Sequence, residues 1–285
     1  MQVHLYTLCW NEREYLPHFF ARFDPVVDRY VIYDDGSDDG SLDLLRAHPK
    51  VELRPFRRRD DESFVRSHQG LQNEVWRESL GRADWVIVTA IDEHLVLPGD
   101  APLRPYLAEC AAEGITAIPA IGFQMVGDRF PGDADSMFAS VPFGAPKSLM
   151  NKLSILAPDH VSPNFGAGRH RAYPRGRVVY PAEDRLMLLH YKMVDFDRTL
   201  ARQHQLLARM GAGDREKGWG SHYDRTRLQL RDEWDGYLAR ALAVTAPDFR
   251  PAAHADGTPW WRDKSLRARW RTLRNCLMRH RSVVR

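Results

Sequence analysis

Cysteine is scarce in this sequence, which has three cysteines among 285 residues. Cys9, Cys110 and Cys276 are widely separated, and none belongs to a Cys-x-x-Cys pair. Disulfide frameworks and structural zinc sites need more cysteines at closer spacing, so this pattern supports neither. The cysteine usage predicts a protein of a reducing compartment, the cytoplasm.

Long apolar runs are also missing. The apolar segments are far shorter than the roughly 20 residues needed to cross a bilayer. No basic segment followed by an apolar one opens the sequence, so we expect neither a membrane span nor a secretion signal. Hydrophobic residues make up 44% of the chain and charged residues 28%, which is typical of a folded globular protein.

Positive charge is concentrated at the C-terminal end, although the net charge is only +3. No acidic residue follows Asp263, while arginines alternate there with Leu266, Trp270, Leu273 and Leu277 at nearly helical spacing. This pattern favours a basic helix packed on the body of the protein. It also permits peripheral contact with the inner face of a membrane. Nucleic acid is not expected as a partner.

Strand and helix patterns alternate over the first hundred residues. Strands are predicted at residues 3–8, 29–33, 51–56 and 84–89, with amphipathic helices between them that Ser41 and Ser63 would cap. Beyond Pro98 we expect a helix at 102–112, a strand at 115–119, an irregular antiparallel stretch at 121–182, a strand at 186–192 and two closing helices. This order predicts an α/β fold with a mostly parallel, doubly wound sheet, an antiparallel extension and C-terminal helices.

Polar residues follow three of the predicted strands. Asn11 and Glu12 come after the first strand, Asp34 and Asp35 after the second, and Asp92 with Glu93 after the fourth. In parallel sheets, ligands bind at the carboxyl ends of the strands. We therefore expect a shared crevice there that binds a metal ion or a phosphate group.

These segments together resemble family 2-like nucleotide-sugar glycosyltransferases of the GT-A fold, in a bacterial branch. The resemblance is close over residues 1–100 and continues through 122–125, Lys152, 168–170, 188–192 and the loop 218–223. It implies a GT-A domain over residues 1–195, with a nucleotide-sugar-binding half (1–100) and an acceptor half (101–195). Residues 196–285 would form a helical, basic extension.

The resemblance implies transfer of a sugar from a UDP- or GDP-type donor to a hydroxyl of a glycan or lipid-linked acceptor. Mn²⁺ or Mg²⁺ would neutralise the diphosphate that leaves. The residues implied are Asn11, Glu12, Asp34, Asp35, Lys152 and His170 for the donor, with Arg169 as a further cation; Asp92 and His190 for the metal; and Trp219 and His222 for the acceptor or a lid.

The general base is less well defined by the sequence. Asp128, Asp135, Glu93, Glu183 and Asp184 are all available, and an inverting reaction needs one such carboxylate near the acceptor hydroxyl. Glu183 and Asp184 precede the strand that carries His190, so they are preferred as catalytic residues.

The chain departs from the family pattern at Ala90, where the first aspartate of Asp-x-Asp is expected. This departure keeps open a catalytically silent sugar-nucleotide-binding protein. A nucleotidyltransferase is a further alternative, but it would usually carry a glycine-rich basic loop where Asn11 and Glu12 stand. Structural interpretations also remain: Asp34 and Asp35 could serve only their own turn, and His190 could be held by a backbone carbonyl.

Overall fold

The computed structural model describes residues 1–263 of this chain. The basic segment 264–285, where the sequence favours a helix packed on the body and permits membrane contact, lies outside the described residues.

Twelve strands are defined among residues 1–263. They are β1 (Val3–Cys9), β2 (Arg29–Asp34), β3 (Val51–Pro55), β4 (Trp85–Val88), β5 (Glu93–Val96), β6 (Ala117–Gly127), β7 (Phe143–Pro146), β8 (Lys152–Leu156), β9 (Val161–Ser162), β10 (Arg175–Gly176), β11 (Met187–Val194) and β12 (Leu242–Ala243).

Eight α-helices are defined in the same part of the chain. They are α1 (Leu16–Phe23), α2 (Ser41–Ala47), α3 (Phe64–Glu74), α4 (Leu103–Ala112), α5 (Met137–Ser140), α6 (Phe196–Ala208), α7 (Ala212–Glu216) and α8 (Arg227–Leu238).

The first four strands form the parallel half of the sheet. Their order is β3-β2-β1-β4, and β1 pairs in parallel with both β2 and β4. Because strand order reverses direction at β1 and β4, the crevice beside their carboxyl ends is where such folds bind ligands. The predicted fold class is confirmed: the protein is α/β, with a parallel, doubly wound half and an antiparallel extension.

The antiparallel extension continues from β4 through β8, β6, β7 and β12. Strand β11 lies between β5 and β6, antiparallel to β5 and parallel to β6. Within the stretch 121–182, predicted to be irregular and antiparallel, β6 pairs antiparallel with β7 and β8, while most of the remaining residues are irregular. The glycines and prolines of this stretch interrupt the period-2 pattern that would have indicated these short strands.

Local signals explain how the elements begin. Helix α1 packs an aromatic stripe into the core, and Phe19, Phe20 and Phe23 are buried on it. Ser63 caps α3 by accepting a hydrogen bond from the backbone N–H of Arg66, as predicted. Ser41 is not the cap of α2: it is the first helical residue, and Gly40 with a φ of +92° precedes it.

The two closing helices α6 and α8 pack on the antiparallel half. Phe196, Leu230 and Trp234 form a buried cluster with Met193 of β11 and Val126 of β6. Residues beyond the predicted boundary at 195 also add strand β12 to the sheet. The described helices include none that is both long and apolar enough to cross a membrane.

Candidate functional site

A cavity of about 600 Å³ opens at the carboxyl ends of β1 and β4. Leu8, Trp10 and Glu12 line it from the end of β1, and the segment 89–93 lines it after β4. The other side is formed by β11 together with residues of α6, α8 and the loop before α8. The predicted crevice is therefore present at the predicted edge of the sheet.

Asp92 lies in the tight connection between β4 and β5, which the sequence did not separate into two strands. The backbone N–H of Glu93 donates to the carbonyl of Ala90 at 3.1 Å, so the chain reverses within four residues. Asp92 lines the cavity with its side chain 14% exposed, and the next residue, Glu93, also lines the cavity but is buried. This reversal therefore brings two carboxylates to the cavity.

His190 of β11 meets Asp92 in the cavity. Its Nε2 lies 3.5 Å from Asp92 Oδ2, and its Nδ1 lies 2.8 Å from Gln124 Oε1. The Gln124 amide nitrogen donates to the carbonyl of His190, so the oxygen of that amide faces the imidazole. His190 Nδ1 therefore carries a proton and donates it to Gln124. The histidine is held by a side-chain amide, and the backbone-carbonyl interpretation of this nitrogen does not apply.

Burial lowers the pKa of His190 even though the Asp92 carboxylate opposes that shift. A neutral imidazole with its proton on Nδ1 presents the Nε2 lone pair to the cavity. In that state Nε2 and the Asp92 Oδ2 atom are 3.5 Å apart. An oxygen and a nitrogen donor in this arrangement suit a divalent cation, and an imidazole oriented by a hydrogen bond from its other nitrogen is typical of metal ligands.

The donor set available for a metal is small. No group of three or more His, Cys, Asp or Glu side chains that could hold a metal is present in residues 1–263. Two protein ligands nevertheless fit Mg²⁺ or Mn²⁺, which are commonly held by one or two side chains together with phosphate oxygens and water. The Asp92 and His190 pair thus fits the implied metal if the donor supplies the remaining oxygens.

Glu93 forms a buried charge cluster next to this pair. Its carboxylate contacts Lys152 Nζ at 2.5 Å on one oxygen and the Arg169 guanidinium on the other. Burial opposes ionisation of Glu93, but Lys152 and Arg169 outweigh it and hold its pKa well below the usual value. Glu93 is therefore unsuited as a general base. Lys152 and Arg169 line the cavity as predicted, yet both are engaged by this carboxylate.

Glu12 also lines the cavity, paired with Arg202 of α6. One carboxylate oxygen contacts the guanidinium, whereas Oε2 is buried and has no hydrogen-bond partner. Burial raises the pKa of Glu12 to about 7, against the opposing charge of Arg202. Its free oxygen can accept a hydrogen bond from a ligand, which agrees with a ligand-binding position.

Asp35 lies at the edge of the site, where two arginines hold it. Arg58 contacts Asp35 Oδ2 at 3.1 Å, and Arg209 of α6 binds the same oxygen. The Arg209 guanidinium also lies over the ring of Trp10, 4.1 Å from its centroid, and both side chains line the cavity. Asp35 is not among the described residues that line the cavity, so Arg209 stands between this carboxylate and a ligand.

Asp34 and Asn11 make hydrogen bonds within and between the loops that follow β2 and β1. Asp34 accepts hydrogen bonds from the backbone N–H groups of Gly36 and Ser37 and from the Ser37 hydroxyl. Asn11 Nδ2 donates to Asp38 Oδ1, and the backbone N–H of Asp38 donates to Asn11 Oδ1. Neither side chain lines the cavity in the described region. The convergence of Asp34, Asp35 and Asp92 around one ligand, which the sequence predicts, is not seen.

Glu183 and Asp184 lie away from the cavity. Asp184 accepts hydrogen bonds from Trp261 Nε1 and from two nitrogens of Arg262, while Glu183 is exposed. Asp184 precedes His190 by six residues, which corresponds to about 20 Å of extended strand. The preference for these two residues as the general base is therefore corrected: they precede the correct strand but lie toward its opposite end.

Of the three loop residues that the sequence predicts for the site, two line the cavity and one does not. His222 lines the cavity, and its pKa is lowered to about 3, mainly by burial. His170 also lines it, with Nδ1 donating to the carbonyl of Leu149 at 2.7 Å. Trp219 is not among the described lining residues, and the neighbouring Tyr223 supplies the aromatic ring instead.

Sequence reasoning missed two lysines of the site, Lys147 and Lys192. Both line the cavity, and burial lowers the pKa of Lys147 to about 8 and that of Lys192 to about 7. Lys147 follows β7 in the stretch predicted to be irregular, so the pattern gave no signal for its position. Lys192 belongs to the quoted segment 188–192, and its position two residues after His190 on a strand could have indicated the same face.

Comparisons with known proteins give no family assignment. No protein-family model matches the chain, and no curated protein matches it. Among solved structures, a mycobacterial protein is similar at 17% identity and a TM-score of 0.29, over 43% of this chain and 41% of that chain.

Two further solved structures show likenesses of the same order. Glucosyl-3-phosphoglycerate synthase from Mycobacterium tuberculosis, in complex with Mn²⁺, UDP and phosphoglyceric acid, is 18% identical with a TM-score of 0.27, over 43% of each chain. A 4-diphosphocytidyl-2C-methyl-D-erythritol synthase is 13% identical with a TM-score of 0.29, over 56% of this chain and 76% of that chain. This chain spans less than half of the mycobacterial protein and of the glucosyl-3-phosphoglycerate synthase. Likenesses this weak establish no shared function.

Proposed function

We propose that the protein is a GT-A-type glycosyltransferase that moves a sugar from a UDP- or GDP-type donor to a hydroxyl of a glycan or lipid-linked acceptor. The observation that carries the proposal is the Asp92 and His190 pair, which meets at 3.5 Å in a cavity of about 600 Å³ at the carboxyl ends of β1 and β4. The N-terminal motif supports the same reading through its resemblance to family 2-like enzymes.

Asp92 and His190 would hold Mn²⁺ or Mg²⁺ against the donor diphosphate. When bound, the ion would supply Lewis-acid stabilisation of the leaving diphosphate. Imidazole ligation favours Mn²⁺ over Mg²⁺. Gln124 would keep the His190 lone pair directed into the cavity through the hydrogen bond at Nδ1.

Glu12 is our candidate for the general base of the reaction, in place of Glu183 and Asp184. A pKa of about 7 is close to the value at which a carboxylate works best as a general base near neutral pH. The free Oε2 could equally accept a hydrogen bond from the donor, which is the role the resemblance implies. Glu12→Gln separates these roles. If Glu12 is the general base, the variant binds the donor normally but transfers the sugar slowly. If Glu12 contacts the donor, the variant binds the donor weakly.

Ala90 favours a second candidate, a catalytically silent sugar-nucleotide-binding protein. Ala90 lines the cavity beside Asp92, so a carboxylate there would add a negative charge to the site. We expect Ala90→Asp to strengthen Mn²⁺ binding by about tenfold, the lower end of what ligand-shell changes produce.

Hydrolysis and transfer from UDP- and GDP-sugars with Mn²⁺ should be compared between the natural chain and Ala90→Asp. The enzyme proposal expects turnover in the natural chain that rises in the variant. Nucleotide binding without turnover in either protein would instead support the silent binding protein.

A further inference from the structure

Seven lysine and arginine side chains are found among the described residues that line the cavity: Lys147, Lys152, Arg169, Lys192, Arg202, Arg209 and Arg225. Five of them are paired with carboxylates. Lys152 and Arg169 share Glu93, Arg202 pairs with Glu12, Arg209 with Asp35 and Arg225 with Glu233. Lys147 and Lys192 have no ion pair within the described part of the chain.

The surroundings of these two ammonium groups are aromatic. Lys147 Nζ lies 5.0 Å from the centroid of the Tyr237 ring and 3.4 Å from Gln124 Oε1. Lys192 Nζ lies 4.5 Å from the centroid of the Tyr223 ring. Aromatic faces attract a cation, but far less than a carboxylate does at hydrogen-bond distance. Neither lysine nitrogen has a carboxylate at ion-pair distance within residues 1–263, so a negatively charged ligand could accept hydrogen bonds from both.

The position of the two lysines indicates that such an anion would belong to the acceptor and not to the donor. Lys147 follows β7 and Lys192 belongs to β11, so both come from the segment predicted as the acceptor half. Gln124 bridges Lys147 to His190 by accepting a hydrogen bond from each, which places the lysines beside the proposed metal ligand. An anion between them would therefore adjoin the donor diphosphate without replacing it.

The charge at this end of the cavity sets the charge of the anion. Arg225 and Glu233 form an ion pair, and Glu233 and Asp92 act on the lysines only from beyond ion-pair distance. A phosphate monoester carries between about 1.5 and 2 negative charges at neutral pH and three acceptor oxygens, which suits two lysine donors. Resting on the proposed function, we propose that Lys147 and Lys192 form a subsite for a phosphate monoester on the acceptor, so that the acceptor is a phosphorylated sugar or glycan.

The test uses inorganic phosphate as the probe and the full chain as the protein. Phosphate binding is measured by calorimetry with and without saturating UDP and Mn²⁺, for the natural chain, Lys147→Met with Lys192→Met, and Lys217→Met. Lys217 is the matched control because it also lies over an aromatic ring, 5.0 Å from the centroid of Trp219, but outside the cavity.

We expect the double variant to lose phosphate affinity by at least about tenfold, since two charged hydrogen-bond donors to the phosphate are removed. UDP binding in that variant and phosphate binding in Lys217→Met should stay as in the natural chain. The free double variant should also melt at a higher temperature than the natural chain, because two partly buried amines without a carboxylate partner are replaced by apolar side chains. A merely structural role for the lysines would lower that temperature.

Two results would overturn the inference: equal phosphate affinity in the natural chain and the double variant, or displacement of phosphate by UDP, which would assign the lysines to the donor. The proposed function fails separately. If UDP does not bind with Mn²⁺ while phosphate still binds through both lysines, the subsite stands and the nucleotide-sugar proposal does not.

Discussion

The two sides of the cavity treat charge in opposite ways. On the side built from β1, β5 and β8, each of the charged residues Glu12, Glu93 and Lys152 has an oppositely charged partner. On the side built from β7 and β11, Lys147 and Lys192 have aromatic neighbours and no carboxylate partner among residues 1–263. The comparison separates Glu93 and Lys152, whose buried ion pair stabilises the fold, from Lys147 and Lys192, which have no such partner and are available to a ligand.

The largest loss of unfolding free energy is expected from Glu93→Gln, on the side of the cavity where the charges are paired. This change leaves Lys152 and Arg169 buried without their carboxylate, and breaking a buried pair in this way costs about 3–5 kcal/mol of unfolding free energy. Denaturant unfolding measures it. The matched control is Glu74→Gln, whose pair with Arg59 is exposed and should change stability by less than about 1 kcal/mol. Equal effects of the two changes would break the comparison.

The next largest effect is the pH dependence of stability that Glu12 causes. Because its folded pKa of about 7 lies above the ordinary value of 4.5, the folded state holds this proton more tightly than the unfolded state does. Stability of the natural chain should therefore fall, relative to Glu12→Gln, as pH rises from about 4.5 to 7, by up to ~3 kcal/mol. Unfolding free energies of both proteins across this range measure the difference. A difference that does not change with pH would contradict the account of Glu12.

A smaller effect is expected at Asp184, which lies away from the cavity. Asp184→Asn weakens the contacts to Arg262 and Trp261, so stability should fall by about 1–3 kcal/mol. Binding of UDP with Mn²⁺ and sugar transfer should not change. Loss of transfer with normal donor binding would instead restore Asp184 as the general base.

The sequence predicted the parts of the fold and site that depend on neighbouring residues. The alternation of strands and helices located the edge of the sheet, and an apolar strand ending in acidic residues located Asp92. Contacts between residues far apart in the chain could not be predicted from the sequence. Asp35 meets Arg209, which is 174 residues away, and no local pattern reports that contact.

The errors in the second half have the same physical origin. Glu183 and Asp184 were placed near His190 because they share its strand, but sequence alone does not say which end of an antiparallel neighbour faces the cavity. Short strands interrupted by glycine and proline have weak period-2 signals, so β7 and Lys147 were not anticipated.

The central claim is that the cavity binds a nucleotide diphosphate through a divalent cation at Asp92 and His190. Calorimetric titration of UDP with and without Mn²⁺ tests it most directly, using Asp92→Asn and, as a control, Asp128→Asn, an exposed residue outside the cavity. We predict that Mn²⁺ strengthens UDP binding in the natural chain and in Asp128→Asn, and that Asp92→Asn abolishes this Mn²⁺ effect. UDP binding that is the same with and without Mn²⁺, or an undiminished Mn²⁺ effect in Asp92→Asn, would contradict the claim.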